Sequence, residues 1–90
     1  MRIEIGRHIS EEVSKLLRDF SSSNDRVDVS TEEYISPSTL REITYRTRPV
    51  TIKNVRAVKK LLEVAQKNAE KQKIDSTKGA RDLKKILDLI

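Results

Sequence analysis

Ile35-Ser36-Pro37-Ser38-Thr39-Leu40-Arg41-Glu42-Ile43 is the stretch whose reading decides the fold. A Ser oxygen accepts from an orphan backbone N–H at a helix start, and Pro at the first helical position gives up no hydrogen bond. Ser36-Pro37 therefore predicts a helix opening at Pro37 and running to about Tyr45. Leu40 and Ile43 share one face of it and turn inward, while Ser38, Arg41, Glu42 and Tyr45 fall elsewhere and give it a polar, basic outer surface.

Upstream, Asp28-Val29-Ser30-Thr31-Glu32-Glu33-Tyr34 is long enough for about two helical turns, with Val29 and the small Ser30 available to face a partner helix. Two short helices joined tightly read as a helix-turn-helix. A competing reading makes Ser30 and Glu33 a capping box that starts a helix at Thr31, and another makes the pair a purely structural corner.

The pattern extends downstream. Asp28-Val29-Ser30, Ile35-Ser36, Thr39-Leu40 and Ile43, followed by Arg48-Pro49-Val50-Thr51 and Asn54-Val55-Arg56-Ala57-Val58, resemble the DNA-binding headpieces of lac-repressor type over roughly Asp28 to Ala65. Two positions depart from that pattern. Tyr34 stands where the family has a turn Gly, and Ser30 where it has Ala. Glycine enters a left-handed turn at little steric cost and tyrosine does not. Either the tight turn is kept with positive φ at Tyr34, or the turn is remodelled and Tyr34 packs inward as one of the few large residues of a thin core; the packed tyrosine is the expectation.

Composition bounds the rest. Ninety residues make one small domain, and a hydrophobic share of 36% against 37% charged, with Phe20, Tyr34 and Tyr45 as the only aromatics, leaves an aliphatic core. There is no Cys, which removes disulfides and thiolate chemistry. The N-terminal residues do not read as a signal peptide and no apolar run approaches a membrane span, so a cytoplasmic protein without membrane association is expected.

The net charge of +5 is unevenly placed. Residues 31–60 carry seven basic and three acidic side chains, against five and six in residues 1–30 and seven and five in residues 61–90. Net charge alone is better explained as a solubilising surface, and it is the coincidence of the basic excess with the motif that points to a polyanion.

In chain order, residues 1–8 are read as a flexible arm, since the alternation of Arg2-Ile3-Glu4-Ile5 has no second strand to pair with. Ser10 caps a first helix over Glu11 to Phe20, with Glu11 and Glu12 set against its positive end. Ser21 to Asp25 form a loop, and Asp25 is a candidate cap for the next helix. Pro49 ends the motif, and Thr51 caps a longer helix, to about Lys71, whose inward stripe is Val55, Val58, Leu61, Leu62 and Ala65.

A terminal helix over 76–90 carries Ala80, Leu83, Ile86, Leu87 and Ile90. The spacing of Ala80, Leu83, Leu87 and Ile90 predicts a homodimer seam of about two heptads, against the alternative that this stripe folds back and completes a monomer core. The fold class expected is an all-α bundle of four to five helices in one domain, similar in element order to the five-helix phage-repressor-like domains.

Catalysis finds no support in the residue pattern. His8 is the only histidine, Glu11-Glu12 and Glu32-Glu33 diverge around their helices, and two glycines make no phosphate cradle. No cofactor and no metal are implied. By resemblance the chain binds double-stranded DNA as a small, repressor-like transcription regulator. Pro37, Ser38, Arg41 and Glu42 are then set toward base edges, while Ser36, Thr39, Tyr45, Arg46, Arg48, Thr51 and Lys53 offer donors to phosphates. Arg41 matches guanine O6 and N7, and Glu42 either orients it or accepts from cytosine N4. A helical protein-interaction module, antitoxin-like or an anti-repressor adaptor, is the alternative.

Overall fold

Local caps account for where the helices begin. In the computed structural model, which describes residues 3–71 and 76–89, with no side chain described from 76 to 81, five helices follow one another: α1 (Glu11–Phe20), α2 (Ser23–Glu32), α3 (Pro37–Thr44), α4 (Val55–Lys71) and α5 (Ser76–Leu89). The fold is all-α, as expected, and the described residues outside the helices are turns and connecting segments.

The Ser10 hydroxyl accepts from the Val13 N–H at 3.2 Å and opens α1, whose bounds are those read from the sequence. Helix α2 starts earlier than the Asp28 expected, because Ser22 and Asp25 form a reciprocal capping box: Asp25 N–H to Ser22 Oγ, 3.2 Å, and Ser22 N–H to the Asp25 carboxylate, 2.9 Å. The box proposed at Ser30 and Glu33 is not formed, since both residues lie at the end of α2. Ser36 caps α3 through the Ser38 N–H at 3.1 Å, with Pro37 in the first turn.

Helix α4 packs against each of the other four, and α5 packs chiefly on α4. Its start is also offset from expectation. The Thr51 hydroxyl is not the cap; the Asn54 side chain accepts the Thr51 N–H at 2.7 Å, and three turn residues precede Val55. Around α4 gather Ile9, Val13 and Leu17, Val29, Leu40 and Ile43, Val50, and Leu83 and Ile86, all at 2% exposure or less. Full burial of one such side chain contributes about 1.5–3 kcal/mol. The core is wholly aliphatic, with Phe20 only half-buried at its edge.

Polar pins fix the layers. Ser14 Oγ donates to the Thr44 carbonyl at 2.7 Å, joining α1 to the end of α3, and Asn68 Nδ2 reaches the Phe20 carbonyl at 2.8 Å and the Asp25 carboxylate at 3.1 Å. Among the described residues no buried side-chain polar atom lacks a partner.

Two expectations are corrected by packing. Leu83 is completely buried in the chain's own core and Leu87 half-buried against it, so at these two positions the dimer seam expected through Ala80, Leu83, Leu87 and Ile90 is not an outward stripe. The competing fold-back reading describes Leu83 and Leu87; the Ala80 side chain and Ile90 lie outside the described residues. Nor is the segment before Ile9 a free arm. Gly6 N–H donates to the Val50 carbonyl at 2.6 Å, Val50 N–H donates to the Arg7 carbonyl at 2.9 Å, and Ile3 packs against the core. Residues 1 and 2 lie outside the described residues.

Candidate nucleic-acid interface

The turn between α2 and α3 decides how the second helix is presented. Tyr34 has φ of 57°, in the left-handed region, and Ile35 N–H bonds the Ser30 carbonyl at 3.0 Å, which closes α2 with a Schellman motif. The turn geometry that calls for glycine is therefore kept with tyrosine in it. Tyr34 is 94% exposed, which overturns the packed tyrosine expected from the sequence: the backbone cap fixes φ, and the ring gains no burial from that position. Ser30 is buried, and its hydroxyl is satisfied by the Val27 carbonyl at 2.8 Å.

The far end of α3 closes in the same way. Arg46 has φ of 65°, Thr47 N–H bonds the Glu42 carbonyl at 2.8 Å, and Arg46 N–H bonds the Ile43 carbonyl at 3.1 Å. Two Schellman caps with non-glycine residues at the left-handed position thus bracket α3. Left-handed geometry at such a residue costs about 1–2 kcal/mol.

Between those caps, Pro37, Ser38 and Arg41 are exposed and Glu42 is half-buried. Ser38, Arg41, Glu42 and Tyr45 line one open cleft with Thr47, so four of the residues selected from sequence share a surface. A second cleft continues it toward α2, where Arg26, Ser23 and Val27 face Pro37, Ser38, Arg41 and Tyr45. Arg26 was not selected from sequence. It lies outside the recognised motif pattern, and its approach to Tyr45, nineteen positions on in the numbering, is a product of tertiary packing.

The charges on this face divide into engaged and unengaged groups. Arg46 Nε donates to the Ile9 carbonyl at 2.7 Å, and its Nη1 pairs with Glu11 at 3.0 Å, so this guanidinium serves the fold first. Glu42 pairs with Arg48 at 2.6 Å, and with that partner it does not orient Arg41. Arg41 and Arg26 behave differently. Each places its guanidinium carbon 5.9 Å from the centre of the Tyr45 ring, and among the described residues neither has a carboxylate partner.

No family model, curated protein or solved structure matches this chain.

The remaining selected residues are spread around this centre. Ser36 is exposed and spends its hydroxyl on the helix cap, Thr39 is half-buried, and Thr51 and Lys53 are exposed on the segment leading to α4. Neither Thr51 nor Lys53 lines the clefts around Tyr45. Away from this face, Glu33 with Arg56 at 3.9 Å and Glu32 with Lys60 at 3.7 Å join α2 to α4 as surface pairs, each worth about 1 kcal/mol or less. Among the described residues no group of three His, Asp or Glu side chains is arranged to hold a metal ion, and no helix is long and apolar enough to cross a membrane.

Proposed function

We propose that the chain binds double-stranded DNA through α2 and α3 used as a helix-turn-helix, with α3 entering the major groove, and that it acts as a small cytoplasmic transcription regulator. The observation that carries this reading is the pair of guanidinium groups, Arg26 from α2 and Arg41 from α3, directed at one exposed aromatic ring without a carboxylate partner among the described residues. Among the other described arginines Arg7, Arg46, Arg48 and Arg56 each have an acidic partner, while Arg18 on α1 has none and donates to the Ser14 carbonyl of its own helix. Arg26 and Arg41, both without a carboxylate and gathered at one ring from adjacent helices, suit a surface that meets an anion.

Support also comes from the α2–α3 connection. The left-handed residue stands where the headpiece pattern has glycine, and Val29, Leu40 and Ile43 form the buried contact between the two helices and the core. In this reading Arg41 takes guanine O6 and N7, and Ser38 contacts an adjacent base edge. Arg26 and Lys53 contact phosphates, which fix register and carry no sequence information. Arg48 and Glu42 enter as a pair, and Arg46 is a brace for the end of α3.

Selection of duplexes from a random pool with the purified chain tests this function. An enriched sequence, bound more tightly than a scrambled duplex and progressively weaker as salt rises, is the expected outcome. A second reading, a helical protein-interaction module, draws on the 94% exposure of Tyr34 and 77% exposure of Ile52. It predicts no enrichment.

A further inference from the structure

Tyr45 occupies an unusual place for a residue at the end of a short helix. Its ring is about half exposed, and it borders three neighbouring clefts: one toward Arg26, one along Arg41 and Thr47, and one toward Arg18 and Arg46. It is also the C-cap residue of α3, and its own N–H donates to the Arg41 carbonyl at 3.0 Å, which holds its backbone at the helix end. Arg26 and Arg41 lie over that ring at the same distance, 5.9 Å.

We infer that Tyr45 is a positioning residue that sets base preference by holding Arg26 and Arg41 in fixed orientations; its ring face, and not its hydroxyl, is the functional part. The inference rests on the DNA-binding reading and deepens it. An exposed arginine carries large rotamer freedom, and bidentate recognition of guanine requires a planar fork in one orientation. Contact with an aromatic face restricts that freedom while leaving the N–H edges of the guanidinium available to an acceptor. Because one ring serves both helices, the phosphate contact from Arg26 and the base contact from Arg41 are held in a common register. Free arginines would each have to be ordered at binding, at a cost in affinity for the preferred site.

This assigns Tyr45 a role different from the phosphate donor expected from sequence. A phosphate donor contributes equally on every duplex, and removing it lowers affinity without changing preference. A positioning ring acts chiefly on preference, and phenylalanine replaces it.

The test uses the duplex selected from a random pool by the wild-type chain and a scrambled duplex of equal length, with Tyr45→Phe, Tyr45→Leu and Arg26→Gln. Tyr45 lies outside the buried core, and melting curves check that each variant is folded. Tyr45→Phe is expected to keep the wild-type preference within about twofold. Tyr45→Leu is expected to reduce it about 5- to 30-fold, the range for two cation–π contacts near the surface, with binding to the scrambled duplex little changed. Arg26→Gln is expected to weaken both duplexes together and lower the salt slope by about one. A folded Tyr45→Leu protein that retains full preference overturns the inference, as does a Tyr45→Phe protein that loses as much as Tyr45→Leu. Failure of the wild type to prefer any duplex overturns the DNA-binding reading beneath it. The clasp itself is read separately by NMR: the Arg26 and Arg41 side-chain N–H resonances carry aromatic ring shifts in the wild type and lose them in Tyr45→Leu. Absence of those shifts in the wild type overturns the inference even if DNA is bound.

Discussion

Arg46 donates its Nε–H to the carbonyl of Ile9 at 2.7 Å across thirty-seven residues of sequence separation, and so ties the end of α3 to the entrance of α1. The same residue sits at φ of 65°, which glycine adopts without strain. Backbone preference and side-chain bonding thus act in opposite directions at one position. A hydrogen bond from a charged group contributes about 1.5–3 kcal/mol, which exceeds the net gain of about 1 kcal/mol or less from relieving a left-handed residue. Arg46→Gly is expected to lower the melting temperature, and Arg46→Lys to lower it too, because an ammonium lacks the fork that serves Ile9 and Glu11 together. A stabilised Arg46→Gly chain would show that the bond to Ile9 contributes little.

Tyr34 gives the opposite result from the same geometry. Its φ is 57° and its ring is 94% exposed, so replacement by glycine removes strain and leaves no cavity. The left-handed penalty of about 1–2 kcal/mol is partly offset by the greater freedom of glycine in the unfolded chain, about 0.5–1 kcal/mol. Tyr34→Gly is expected to raise stability by up to about 1 kcal/mol, a shift of several degrees in a domain of this size. An unchanged or lowered melting temperature would mean that the exposed ring makes a stabilising contribution its surroundings do not reveal.

Leu83 separates core packing from self-association. It is completely buried under α4, so Leu83→Ala is expected to destabilise the folded chain by about 2–5 kcal/mol, a large share of the stability of a small domain. Denaturant unfolding at two protein concentrations checks this. A concentration-independent loss fits a core residue; a midpoint that moves with concentration in the wild type and not in the variant would restore the dimer seam.

How much of this could be read from the sequence depended on whether a signal was local. Helix α1 and the opening of α3 were legible because Ser10 with Glu11 and Glu12, and Ser36 with Pro37, are short-range devices, and because apolar residues recur at helical spacing behind them. Helix α2 was half hidden. Its first turn, Ser23-Asn24-Asp25-Arg26, carries no apolar residue, and only Val29 and Ser30 are buried along its length. The signal that would have found it was the Ser22-to-Asp25 spacing of a capping box. At Tyr34 the scarcity of aromatics favours burial and the helix cap favours a left-handed turn, and the cap prevails.

The proposed DNA-binding face divides along the same line. Pro37, Ser38 and Arg41 were legible because a single helix carries them, with α3 exposing that face. Arg26 was not, because its relation to Tyr45 exists only once α2 and α3 have packed. The engagement of Glu42 by Arg48, and of Arg46 by Ile9 and Glu11, likewise follows from how the chain turns after α3.

Lys53 and Arg41 are expected to differ in kind when replaced. Lys53→Ala removes an exposed cation near the start of α4 and should weaken selected and scrambled duplexes alike, lowering the salt slope by about one. A change confined to one sequence would instead make Lys53 a base reader.

The central claim, that the outer face of α3 reads DNA sequence, is tested most directly by measuring Arg41→Ala against the selected duplex and its single-base-pair variants at fixed salt. The account predicts a loss of about 1–3 kcal/mol on the selected duplex together with relaxed discrimination at one base pair, the other positions keeping theirs. Wild-type affinity and wild-type discrimination at every position in a folded Arg41→Ala chain would contradict it.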